Sequence, residues 1–203
     1  MLYAWLAIQL TALAVSAFRV RLSIAMPAAG EQSALALMLI TQVAASSLLF
    51  PLLLRSRRQT ILTIATAWPM GQLACFLADA PVHRFIAAQA LVTLWIVALA
   101  LWNWALPRAQ AVGAAVAATI SLGGPLLWYL RAEFVRESAD IHWPRDALLG
   151  PVMAALSQIF PDQPPAIAWW PLVGLVVLAV TVSTLTRLVY RASPKLISPP
   201  TTR

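Results

Sequence analysis

Long apolar runs, separated by short polar stretches rich in arginine, dominate the chain. They lie at 2–18, 34–54, 60–78, 85–106, 111–130 and 169–190. Each is close to the ~20 residues that a helix needs to cross the hydrocarbon core of a bilayer. The pattern predicts an all-α fold, a polytopic transmembrane helical bundle of about six spans. One long connection, the outer loop 131–168, separates spans five and six. Inside it, 147–160 is moderately apolar, interrupted by Gly150 and Pro151, and followed by prolines at 161, 164 and 165. That piece is too short to span, so it predicts a short interfacial or re-entrant helix.

Composition supports the span pattern. Of 203 residues, 61% are hydrophobic and 10% charged, with a mean hydropathy of +0.80. A soluble domain has roughly 45–50% apolar and about 25% charged residues. So few polar side chains exclude a water-soluble globule, and the same counts exclude disorder, collagen and coiled coil. Six spans leave no room for a separate soluble domain. Residues 1–192 are therefore expected to form one transmembrane domain, and 193–203 a short basic cytoplasmic tail. The first run resembles a secretory signal in having Val15 and Ala17 at its end, but no Lys or Arg precedes it, and it is read as a span.

The net charge of +7 and pI near 11.1 would suggest nucleic acid in a soluble protein. Here the basic residues flank apolar runs, so they read as topology signals, and no nucleic-acid partner is expected. With the N-terminus inside, Arg55, Arg57, Arg58, Arg108, Arg187, Arg191, Lys195 and Arg203 fall on the inner side with no acid among them. The outer side then carries Arg19, Arg21, Arg84, Arg131, Arg136 and Arg145. It also carries every acid: Glu31, Asp79, Glu133, Glu137, Asp140, Asp146 and Asp162. Positive residues in short loops stay cytoplasmic, which predicts both termini in the cytoplasm. Short loops and dense arginine usage suggest a bacterial inner membrane. The single cysteine, Cys75, lies in an apolar run, so neither a disulfide framework nor a cysteine-rich metal site can be built.

Several local features refine the spans. Pro69, at the middle of the third run, predicts a kink or local break. Gly113, Ala117 and Ser121 recur every four residues and predict a central helix, packed on all sides, that reaches a hinge or end at Gly123, Gly124 and Pro125. Trp102, Trp104, Trp128, Tyr129, Trp169 and Trp170 sit at run boundaries, where amphipathic rings anchor in the headgroup layer. The polar side chains that stand out within the spans are Gln42, Ser46, Ser47, Gln72, Gln89, Thr93 and Asn103, none of them ionisable. Gln42, Gln72 and Gln89 are expected to hydrogen-bond across adjacent helices. Without an intramembrane acid or histidine, a proton-coupled carrier is disfavoured.

Candidate chemistry gathers on the outer side. Glu133 and Glu137 stand four apart, as do His142 and Asp146, with Asp140 between them and His83 in the loop after the third run. Imidazole and carboxylate suit zinc or manganese, or general acid–base work on a substrate at the membrane surface. His83, His142, Glu133, Glu137, Asp140 and Asp146 are therefore the candidate catalytic residues. The alternative is a solvated, ion-paired loop or a partner-docking surface. No diagnostic spacing accompanies them, and no cofactor or metal is assigned: there is no metal-binding His or Cys motif, nucleophile elbow or glycine-rich phosphate loop. Six spans with an apolar outer insertion before the last resemble the layout of ABC-2-type export permeases in span order alone. The link 55–59 is too short for their cytoplasmic coupling helix, so the chain is not assigned to that family.

Three functions follow. The favoured one is a non-catalytic membrane subunit of a larger transport or secretion assembly, with the lipid bilayer and protein subunits as partners. The alternative is a membrane-embedded enzyme acting on a lipid or lipid-linked substrate at the outer leaflet through the His/carboxylate cluster. A haem or quinol subunit ranks last, because it needs histidines inside spans.

Overall fold

The computed structural model describes residues 2–23, 31–134 and 150–159. Among them there is no strand. The elements are α1 (Leu2–Ser23), α2 (Glu31–Leu53), α3 (Arg57–Leu77), α4 (Val82–Ala105), a 3₁₀ turn (Pro107–Ala109), α5 (Gln110–Phe134) and α6 (Pro151–Ile159). Segments Ala34–Leu53, Arg57–Leu77 and Val82–Ala105 are long and apolar enough to cross a membrane, and Leu2–Phe18 and Gln110–Gly123 are shorter apolar helices. The sixth expected span, 169–190, lies outside the described residues, as does the tail 193–203.

Helices α1 to α5 extend past their apolar stretches at one end or both, because backbone hydrogen bonding continues where hydropathy stops, whereas α6 occupies only part of 147–160. α3 starts early because Ser56, in extended conformation, caps it by accepting from the Gln59 N–H at 3.3 Å. It ends in a Schellman motif. Asp79 turns left-handed at φ 46°, its N–H donates to the Phe76 carbonyl, and the Ala80 N–H donates to the Cys75 carbonyl.

Neither the kink or break expected at Pro69 nor the hinge or end expected at Gly123–Pro125 ends its helix. α3 runs unbroken through Pro69, and α5 through Gly123, Gly124 and Pro125. A proline removes one helical donor, but flanking turns keep their bonds, and apolar surroundings offer the backbone no alternative partner.

α2 holds the centre and touches all five other helices. That place had been expected for α5, and the reason for the difference is visible along the two helices. α2 buries residues around its girth, including Leu35, Met38, Leu39, Gln42, Val43, Ser46, Ser47 and Phe50. Among its described side chains α5 buries the stripe Gly113, Ala117 and Ser121, while Val112, Ala115, Val116, Thr119 and Leu122 are exposed. The small stripe does admit close approach: a methyl group at Gly113 would collide with the Trp102 indole nitrogen and the Phe50 ring.

α6 packs against α4, α2 and α5. Val152, Ala154, Ala155, Leu156, Gln158 and Ile159 are all buried. Its leading residue, Gly150, lies directly against the Ile120 carbonyl near the middle of α5. At its other end the Ile159 carbonyl accepts from Arg84 Nη1, in the first turn of α4, at 3.5 Å. The helix thus runs from mid-depth of the bundle to the rim formed by the α3–α4 turn.

Candidate functional site

Successive antiparallel helices sort the polar residues into two ends and an interior. The α3–α4 turn and the C-terminal end of α5 share one end. His83 stands exposed in the first turn of α4, beside exposed Asp79 and half-buried Arg84. Glu133 belongs to the final turn of α5. Glu137, Asp140, His142 and Asp146 lie outside the described residues. Among the described residues no three His, Cys, Asp or Glu side chains come together in a group able to hold a metal ion. Among the described residues Arg84 points its bond inward, tying α4 to α6.

The interior is more organised than the rim. Ser47, fully buried on α2, binds the Ser121 hydroxyl of α5 at 2.6 Å and accepts from the Trp95 indole of α4 at 2.9 Å. The Ser47 hydroxyl also lies 2.7 Å from the Val43 carbonyl of its own helix. One hydroxyl therefore joins three helices. One face further round, Gln89 of α4 donates to Gln42 Oε1 of α2 at 2.9 Å, and Gln42 donates to the Ala67 carbonyl of α3 at 2.9 Å. Trp5 donates to Thr66, and Trp68 to Thr93, each at 3.1 Å, tying α1 to α3 and α3 to α4.

No protein-family model, no curated protein and no solved structure matches this chain. Its chemistry is therefore read from its own side chains.

The glutamine expectation holds for two members of three. Gln42 and Gln89 bond to each other, whereas Gln72 is exposed, one position along α3 from buried Gly71 and so on a different face. The span reading missed Gln9, Ser16 and Thr66, and it placed Ser121 on a packed face without its bond to Ser47. Gln9 is fully buried on α1, with both amide atoms free of hydrogen-bond partners. Ser16 reaches the Ala34 carbonyl of α2 at 3.3 Å. The signal was the alternation of four- and three-residue steps in Trp5–Gln9–Ala12–Ser16, which marks one buried face of α1.

The tryptophans also divide by role. Trp104, expected as an interfacial anchor, donates to the Leu54 carbonyl at 3.0 Å, beside Asn103 Nδ2 at 3.1 Å on the same oxygen. α4 thereby holds the end of α2 in place. The side chains of Trp128 and Tyr129, together with Trp169 and Trp170, lie outside the described set.

Proposed function

We propose that the chain is a non-catalytic membrane subunit of a larger transport or secretion assembly. What supports this is the use of its interior polar groups. The Ser47, Gln42, Gln89, Trp95 and Ser121 side chains hold helices to one another. They are neutral, and their bonds are spent on packing the bundle. In the same picture the protein lies in a bacterial inner membrane with the Arg55–Arg58 turn on the cytoplasmic side. Residues 169–190 supply a sixth span. α6 is re-entrant, its backbone polarity satisfied within protein as membrane depth requires.

Purification from native membranes in a mild detergent, with mass spectrometry of co-eluting proteins, tests the assignment. A stoichiometric partner retained through size exclusion is the expected result. A stable, monodisperse chain purified alone overturns it, and turnover of a lipid substrate lost on His83→Ala and His142→Ala would replace it with the enzyme.

A further inference from the structure

The end of the bundle opposite His83 carries a basic cluster whose use need not end with setting the orientation of the chain. Arg55, Arg57 and Arg58 are all exposed within four residues at the α2–α3 turn. Arg108 stands in the adjacent α4–α5 turn, and neither turn contains an acid. Three like charges this close repel one another, and a bound anion relieves that repulsion.

The turn is rigid. The Leu54 carbonyl accepts from both Asn103 and Trp104, and Ser56 caps α3. Capping leaves the Arg57 and Arg58 N–H groups at the first two positions of α3, where a helix has no internal acceptor for them. They and the positive end of the helix dipole belong to the same turn as the three arginines.

Directly beneath the charges the surface is apolar. Ile61 follows Arg57 by one helical turn and is 65% exposed, and Leu62 follows Arg58 in the same way and is 36% exposed. On α2, Leu48 and Leu52 are 54% and 51% exposed and lead up to Arg55. A cationic clamp above an exposed apolar face matches a molecule with an anionic head and hydrocarbon tails. A free anion would leave the apolar face unused.

We infer that the Arg55–Arg58 turn is a binding site for an anionic phospholipid of the surrounding leaflet. The guanidinium groups and the α3 N-terminus hold the headgroup phosphate, and the acyl chains lie along Leu48, Leu52, Ile61 and Leu62. Guanidinium presents paired donors to phosphate oxygens, which favours arginine over lysine at such a clamp. The site does not depend on the subunit assignment.

Native mass spectrometry of the purified full chain tests it, with phosphatidylglycerol and phosphatidylcholine of identical acyl chains added in equal amounts. The wild type is expected to retain phosphatidylglycerol preferentially. An arginine near an anionic surface contributes about a factor of five, so R55Q/R57Q/R58Q loses on the order of 100-fold in affinity. R55K/R57K/R58K, which keeps the charge, retains part of the preference. All three positions are exposed, and an unchanged elution profile and helical circular dichroism identify variants that fold. Equal retention of the two lipids, or a preference that survives in the glutamine variant, overturns the site. Displacement of phosphatidylglycerol by millimolar inorganic phosphate overturns the lipid in favour of a free anion. Loss of a stoichiometric protein from native membranes in the glutamine variant, with lipid retention unchanged, overturns it in favour of a protein contact.

Discussion

Gly71 shows how much a single position decides in this bundle. A methyl group there would meet Gln89 Oε1 at 2.6 Å and the Phe85 ring at 2.9 Å. Neither neighbour yields easily. Gln89 is held by Gln42, and Phe85 packs edge-on against Trp68 with ring centroids 5.9 Å apart. Overpacking of this kind costs about 1–3 kcal/mol. Gly71→Ala should therefore lower the unfolding midpoint in detergent, and G71A/Q89A should lose less than the two single changes added together, because truncating Gln89 removes the main obstruction. A neutral Gly71→Ala would mean that α3 and α4 are further apart than described. The residue scale is also where the sequence was least legible. Gln72 and Gln89 look alike in an apolar run, yet one is exposed and the other forms the bond to Gln42. Facing depends on helix rotation, and a run that is apolar all round carries little amphipathic pattern to reveal it.

Among the elements, α6 depends most on a special backbone position. Gly150 has φ 141°, which side chains rarely tolerate, and its α-carbon faces the Ile120 carbonyl at contact distance. Gly150→Ala meets both obstacles at once. The expected outcome is faster amide hydrogen exchange across 151–159, with exchange in α2 and α3 little changed. Exchange in α6 as slow as in the wild type would refute the docking against α5. The segment 147–160 was readable as too short to span, but Gly150 and Pro151, read as an interruption, instead precede and open the helix Pro151–Ile159. Its burial among α2, α4 and α5 was not readable, because an apolar nine-residue helix suits the bilayer interface as well as a protein interior. The position of α5 was obscured for a related reason. A stripe of small residues announces that one face is approached closely and says nothing about the other faces.

At the scale of the whole molecule, the Arg55–Arg58 turn and the His83 turn are separated by α3, whose 21 residues rise about 31 Å. That length matches the hydrocarbon thickness, so the two turns should lie on opposite sides of a membrane. In a Cys75→Ser background, Val82→Cys is expected to react with a membrane-impermeant maleimide added to intact cells. Ser56→Cys should react only after the cells are permeabilised. Labelling of both from the same side would refute a transmembrane α3, and the reverse pattern would invert the orientation drawn from arginine distribution.

The sequence by itself determined the class of this protein and the rough position of its helices. Hydrophobic length and the scarcity of charge are properties of consecutive residues, and the bilayer reads them one segment at a time. Tertiary structure alone decided that α2 is central, that Ser47 joins three helices, that Gln42 pairs with Gln89, and that α6 reaches into the bundle. These outcomes depend on which faces meet. Between helices that are apolar on nearly every side, that choice is made by close packing and a few hydrogen bonds between residues far apart in the chain.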